Sequence, residues 1–297
     1  MLFFGQHYYF CSMLPPYITK SALDTFIFNA LQEDLGLGDY TSLATIPEGT
    51  KGRAKLIFKS EGIAAGVELS KYIFKAVDKQ LQVTYFVEDG AVFSKGDIGF
   101  EVEGNSISIV SAERLVLNCM QRMSAIATLT HQYSQKIAHT KAKLLDTRKT
   151  TPNFRIAEKW AVKIGGGENH RFGLFDMILI KDNHIDYSGG IKNAIENTLK
   201  YLDKQNLDLK IVVETRNLEE VEIAASYPEV HRILLDNMSN DTLKQAVKLI
   251  NGRLKTEASG GVNLETIAGI AETGVDFISV GALTHSYQSL DMSLKAY

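Results

Sequence analysis

The second half of this chain carries a recurrence that leaves few folds open. Short apolar runs end at Asp146, Ile180, Val213, Leu235, Ala258 and Val280, and each is followed by a polar residue or a glycine: Arg148, Lys181, Glu214, Asp236, Ser259 and Gly281. Successive members of that set lie about 22 or about 33 residues apart, which leaves room for a strand, a helix and two loops. Parallel strands need a crossover of that length. The stretches between the runs read as amphipathic helices. Six consecutive βα units behind a separate N-terminal region predict a closed or partly closed α/β barrel, with an open doubly wound sheet as the alternative.

The first half has a different grain. Residues 1–20 read as a tail, with 1–12 lying upstream of Met13 as either an extra translated stretch or a disordered one. From Ser21 to Leu35 the apolar residues Leu23, Phe26, Ile27, Ala30 and Leu31 recur at helical spacing, with Ser21 as N-cap and Gly36 closing the end. Between Arg53 and Ile109 short runs such as Ala54–Phe58 and Val83–Val87 are punctuated by glycines, which predicts a small strand-rich domain. Its Asp89-Gly90 and Gly96-Asp97 turns are like those of a lipoyl- or biotinyl-type half-barrel. No lysine is placed for modification, so they read as packing turns. Ser111–Ala138 is a long helical stretch that bridges the two regions. The expected division is a tail (1–20), an N-terminal α+β sandwich-like domain (21–128, joined by 286–297) and a barrel (129–285).

Composition bounds the function. The 297 residues are 45% hydrophobic and 23% charged, enough to bury a large core, and the net charge of -3 argues against a protein built for the nucleic-acid backbone. Cys11 and Cys119 belong to no CxxC pair or zinc-type cluster, so no disulfide scaffold is expected. The aromatic-rich opening, Met1–Tyr17, has no positive n-region, long apolar core or small-residue cleavage site, which points to the cytosol and to no membrane partner.

Against that acidic background, Arg148, Lys149, His170, Arg171 and Lys181 come from two adjacent βα units. In a barrel the rim at the strand C-termini is where sites are built. Cations gathered there repel one another unless an anion joins them. Arginine forks match carboxylates in a bidentate way, so Arg148 and Arg171 can hold a small dicarboxylate, with Lys149, His170 and Lys181 adding charge around it. The competing reading pairs these cations with Glu158, Glu168 or Asp182 at the surface. Glu214 and Asp236 place two carboxylates at the same mouth, fit for Mg²⁺ or sugar hydroxyls, or else for a salt bridge to a rim lysine. Ser259-Gly260-Gly261 and Gly281, each leading toward a helix, can present backbone N–H groups to a phosphate, although a glycine pair alone is more often a tight turn. The Gly165-Gly-Gly167 run lets the backbone bend so that His170 and Arg171 turn inward.

Several long segments are similar to those of the quinolinate phosphoribosyltransferases. They are Asp146-Thr-Arg-Lys-Thr-Thr-Pro152, Gly165-Gly-Gly-Glu-Asn-His-Arg171, Ile180-Lys-Asp-Asn-His184 and Ala258-Ser-Gly-Gly-Val262, preceded by Glu33-Asp-Leu-Gly36, Gly38-Asp39 with Thr41, Glu113–Asn118 and Ser124–Thr128. The resemblance runs in order from about Ser21 to His285. It implies an open sandwich-like N-terminal domain, an incomplete TIM-like α/β barrel, and a homodimer or higher oligomer with shared active sites. It also implies phosphoribosyl transfer from phosphoribosyl pyrophosphate to quinolinate, with decarboxylation to nicotinate mononucleotide.

Carried over residue by residue, Arg148, Lys149, His170, Arg171 and Lys181 surround quinolinate and pyrophosphate, and Arg114 arrives from the other subunit. Glu214 and Asp236 hold ribose hydroxyls and Mg²⁺, with Lys149, Lys181, Glu214 and Asp236 as the catalytic set. Ser259, Gly260, Gly261, Gly281 and His285 face the 5-phosphate. Ala125 departs from the glycine the family often has there and touches no catalytic role. Two rival readings are a nicotinate-specific relative, which needs one carboxylate fork, and a catalytically silent relative, which would have lost several rim cations.

Overall fold

The structure, a computed structural model, describes residues 14–297. The expectation for residues 1–12 therefore lies outside the described residues. Residues 14–20, also assigned to the tail, are packed: Ile18 is buried and the Tyr17 ring stacks on Phe172 with centroids 4.8 Å apart. Helix α1 (Lys20–Leu35) is capped by Thr19 and not by Ser21, the Thr19 hydroxyl accepting the Ala22 N–H at 3.1 Å. Gly36 ends it at φ +52°, where glycine is favoured. The short α2 (Tyr40–Thr45) follows, capped by Asp39.

The strand-rich region contains β1 (Lys51–Phe58), β2 (Gly62–Ile63), α3 (Val67–Val77), β3 (Gln82–Tyr85), β4 (Val92–Phe93) and β5 (Ile98–Asn105). β1 and β3 flank β5 in an antiparallel sheet, while β2 and β4 form a separate pair. Alternation along β1 buries Ala54, Leu56 and Phe58 on one face, as expected where one side of a sheet meets the core and the other meets water. The Asp89 turn serves packing: its carboxylate accepts the Val67 and Glu68 N–H groups at 2.8 and 3.3 Å, capping α3. Helix α4 (Ser106–Ile137) begins five residues before the expected Ser111. Ile107, Ile109 and Val110 look strand-like in sequence, but Asn105 accepts the Ile107 and Ser108 N–H groups at 2.9 and 3.1 Å and starts the helix there.

The barrel follows: β6 (Lys143–Leu145), α5 (Arg155–Ile164), β7 (Ile178–Ile180), α6 (Asp182–Tyr187), α7 (Ile191–Gln205), β8 (Ile211–Thr215), α8 (Leu218–Ala225), β9 (Val230–Asp236), α9 (Asn240–Ile250), β10 (Lys255–Ser259), α10 (Ile267–Ala271), β11 (Phe277–Ser279) and α11 (Ala282–His285). The six strands are parallel in the order β6-β11-β10-β9-β8-β7. The order winds in one direction without the reversal that marks a doubly wound sheet, so the barrel expectation holds. β6 and β7 do not pair. Leu145 instead bridges to Glu168, leaving the barrel incomplete beside the segment that carries His170 and Arg171. Ile211, Val212 and Val213 are all buried, the mark of a strand covered on both faces. A last strand, β12 (Met292–Ala296), returns to the N-terminal sheet and pairs antiparallel with β1, Leu56 opposite Leu294.

Candidate active site

At the C-terminal ends of the barrel strands lies a cavity of about 790 Å³. Arg148, Lys149, His170, Arg171, Lys181, Glu214, Asp236, Ser259, Gly260, Gly261, Gly281 and His285 all line it. Of the residues singled out in the sequence, only Arg114 stays away, exposed on α4. Asn237, Asp182 and Glu257 also line the cavity and were not anticipated.

The arm that delivers His170 and Arg171 is held from below. Asp146, just past β6, and Lys159 on α5 form an ion pair of 2.6 Å in which both side chains are fully buried. Asp146 also accepts the His170 N–H at 2.8 Å and the Asn169 amide at 2.6 Å, and Lys159 donates to the His170 carbonyl at 3.1 Å. The Tyr17 hydroxyl donates to Asn169 Oδ1 at 2.9 Å, which ties the N-terminal segment to the same arm. Burial pushes the Asp146 carboxyl up and the Lys159 ammonium down, and their mutual attraction opposes both shifts. Lys159 was not foreseen as part of the site.

The two forks have no carboxylate to hold. Arg148 and Arg171 form no ion pair among the described residues, and each has a buried Nε without a hydrogen-bond partner. Arg171 spends one nitrogen on the Met177 carbonyl at 3.1 Å. Burial and then the charge of Arg148 pull the Arg171 guanidinium below its usual range, with Asp176 opposing. The surface-pairing alternative fails for these residues, since Glu158 is taken by Arg122 at 2.9 Å and Glu168 by Lys143 at 2.7 Å. An unpartnered cationic pair of this kind is a receptor for anions.

Across the mouth, burial and then the nearby charge of Asp236 push the Glu214 carboxyl up, while Lys181 pulls it back. Asp236 accepts the Ser259 hydroxyl at 2.6 Å and the Asn237 amide at 2.7 Å. No group of three or more His, Cys, Asp or Glu able to hold a metal occurs among the described residues. A cation seated on these two carboxylates would draw its remaining oxygens from ligand and water, the manner in which Mg²⁺ binds beside phosphates, so the donor set fits that ion. Beside it, Gly260 and Gly261 have φ of +92° and +60°. A Cβ on Gly260 would lie 2.1 Å from Asn237 Oδ1 and 2.9 Å from the Asn237 nitrogen, so only glycine lets the turn after β10 approach the turn after β9. A Cβ on Gly281 would come within 3.0 Å of Lys149 Cδ and of His285 Nε2.

The lower wall holds a charge that the rim does not reveal. Glu257 in β10 is fully buried and accepts from Arg232 in β9 at 2.8 Å and from the Ser279 hydroxyl, with His170 Nε2 3.5 Å away. Burial alone would raise this carboxyl. The charge of Arg232 and the Ser279 hydroxyl oppose that rise. Glu257 sits in the middle of the polar strand Lys255-Thr-Glu-Ala-Ser259, where nothing in the spacing marks it, and strand-end reasoning passed it over.

Residues 39–124 match the N-terminal domain of quinolinate phosphoribosyl transferase and residues 126–295 its C-terminal domain. The chain is 50% identical over 281 residues to quinolinate phosphoribosyltransferase [decarboxylating] 2, mitochondrial, of Nicotiana glauca, covering 90% of this chain and 80% of that protein. It is 41% identical over 263 residues to the probable nicotinate-nucleotide pyrophosphorylase [carboxylating] of Bacillus subtilis, covering 88% and 89%. The solved structure of the nicotinate-nucleotide pyrophosphorylase from Francisella tularensis superposes with a TM-score of 0.86 at 38% identity, over 94% of this chain and 98% of that one. With both domain matches spanning nearly all of the described residues, the chain belongs to the quinolinate phosphoribosyltransferase family.

Proposed function

We propose that this chain transfers the phosphoribosyl group of phosphoribosyl pyrophosphate to quinolinate, with loss of CO₂, giving nicotinate mononucleotide and pyrophosphate for NAD synthesis. Family membership supports the reaction. The observation that carries it is the pair Arg148 and Arg171, two partly buried forks that form no ion pair among the described residues. Quinolinate supplies two carboxylates, and hydrogen bonds to charged groups contribute roughly 1.5–3 kcal/mol each.

In this reading the pyridine nitrogen attacks the anomeric carbon while the bond to pyrophosphate breaks through an oxocarbenium-like state. The 2-carboxylate then leaves as CO₂, its bonding pair stays on the ring carbon, and that carbon takes a proton. Arg148, Arg171 and His170 seat the dicarboxylate, and Lys149 and Lys181 face the pyrophosphate. Glu214 and Asp236 hold the ribose hydroxyls and Mg²⁺, and Ser259, Gly260, Gly261, Gly281 and His285 take the 5-phosphate. Mg²⁺, when bound, offsets charge on the leaving pyrophosphate. The side chains do the rest by positioning and charge, with no covalent intermediate.

In this reading Arg114 of the partner subunit completes the site in a homodimer, as in the family resemblance; within one chain Arg114 does not line the cavity. The proposed compartment is the cytosol; Cys119, a buried free thiol, is compatible with any reducing compartment. Among the described residues no helix is long and apolar enough to cross a membrane.

The test is release of labelled CO₂ from quinolinate labelled at the 2-carboxylate, dependent on phosphoribosyl pyrophosphate. Turnover of nicotinate alone, or of neither acid, overturns the reading. For the shared site, Arg114→Ala and Arg171→Ala proteins, each inactive alone, should regain activity when mixed, and no recovery rejects it.

A further inference from the structure

The base of the cavity presents a puzzle: a buried carboxylate, Glu257, lies under a site read as a receptor for a dianion. Its contacts account for it. Arg232 is itself 5% exposed, donates to Glu257 Oε2 at 2.8 Å and lies over the Phe277 ring at 4.5 Å, so the two charges cancel inside the barrel. The other oxygen, Oε1, takes the Ser279 hydroxyl and lies 3.5 Å from His170 Nε2, a buried nitrogen with no hydrogen-bond partner among the described residues, so the two attract without bonding. His170 is 8% exposed, and its second ring nitrogen, Nδ1, accepts the backbone N–H of Arg171 at 2.7 Å. A nitrogen that accepts an N–H carries no proton. In this geometry His170 is therefore a neutral imidazole protonated on Nε2, not the additional cation expected from the sequence. The hydrogen-bond partners assign the tautomer.

We infer that Glu257 is a positioning residue for the quinolinate site, acting through His170. Its Oε1 attracts the Nε2–H end of the ring across 3.5 Å, the ring's Nδ1 fixes the Arg171 backbone, and the Arg171 fork is thereby aimed at the substrate. The inference rests on the phosphoribosyl-transfer reading for what Arg171 grips, but the tautomer and the anchor do not depend on it. A glutamine at this position cannot do the same work. Arg232 has only donors, so the amide oxygen must face it, and the amide NH₂ then faces His170 Nε2. That contact demands a proton on Nδ1, which the Arg171 N–H forbids.

Two measurements test this on the full-length protein. In ¹⁵N-histidine NMR of the unliganded enzyme at neutral pH, with His170 assigned by its loss in His170→Asn, the proton should sit on Nε2 alone. A proton on Nδ1, or on both nitrogens, overturns the inference, and this reading needs no activity and no variant at position 257. In Glu257→Gln, KM for quinolinate should rise about tenfold to hundredfold, with KM for phosphoribosyl pyrophosphate within about threefold, as expected for losing aim at one charged partner. An unchanged KM for quinolinate in a folded variant overturns the positioning role. Failure of wild-type turnover itself would instead count against the functional reading, leaving the NMR result to decide the anchor.

Discussion

Replacing Lys159 by methionine tests whether the arm bearing His170 and Arg171 is held by a buried charge. Lys159 and Asp146 are both fully inaccessible and 2.6 Å apart. Methionine fills similar space but leaves Asp146 with only the His170 N–H and the Asn169 amide as donors, and orphans one hydrogen bond to the His170 carbonyl. Breaking a buried pair from one side typically costs about 3–5 kcal/mol. Unfolding entropy of about 2.1 cal/mol/K per residue gives roughly 0.6 kcal/mol/K for a chain of this length, so Tm should fall by about 5–8 °C.

The sign of the pH dependence follows. Burial already raises the Asp146 carboxyl, and Lys159 is the largest influence against it. Without Lys159 the folded-state pKa rises further above the unfolded one, so the variant's stability is lost as pH rises and its deficit relative to wild type is larger at pH 8 than at pH 5. Adding Asp146→Asn should recover at least half of the deficit at pH 8. Thermal scans at the two pH values decide it. A Tm drop under about 2 °C, or a deficit that is independent of pH and unrelieved by the second substitution, would show that the pair does not hold the arm.

Gly260→Ala should lose affinity for phosphoribosyl pyrophosphate by at least about tenfold while keeping most of its thermal stability, because the new methyl would collide with Asn237 in a turn at φ +92°; KM for each substrate is the measurement, and unchanged values reject the cradle. Arg171→Lys keeps the charge but loses the fork, so KM for quinolinate should rise about tenfold or more with little change in Tm; a wild-type KM would mean that Arg171 acts as a point charge. Asp89 is raised to about 6 by burial. A raised carboxyl contributes stability at low pH that is lost as pH climbs through its folded value. Wild type should therefore lose roughly 3 kcal/mol relative to Asp89→Asn between about pH 4 and pH 6. Urea titrations of both proteins across that window check it, and a constant difference would refute the shift.

The positions of the rim residues were legible because parallel barrel strands are buried on both faces. Val213 and Leu235 end continuous apolar runs, and the next residue, Glu214 or Asp236, is the first polar side chain after the run to line the cavity. Strand ends could therefore be counted without knowing how the helices pack. Starts that depend on one side chain were less legible: Thr19 outcompetes Ser21 as a cap, and Asn105 turns a strand-like Ile107-Ser-Ile109 into helix. Such choices are settled by which oxygen reaches an N–H, and spacing does not encode that reach.

Depth was the other thing spacing could not give. Lys159 reads as one more polar residue on an amphipathic helix, and Glu257 as an interruption in a strand, yet both side chains have no accessible surface. The difference matters for chemistry. A rim cation such as Lys181 is exposed and screened, whereas a buried pair fixes orientation because any rotation leaves an uncompensated charge in a medium that solvates it poorly. The site thus divides by depth. Exposed Lys149 and Lys181 can follow a departing pyrophosphate, while His170 and Arg171 sit on a base locked by Asp146–Lys159 on one side and Glu257–Arg232 on the other. That is the arrangement a planar dicarboxylate requires, since two forks recognise it only while their mutual angle is fixed.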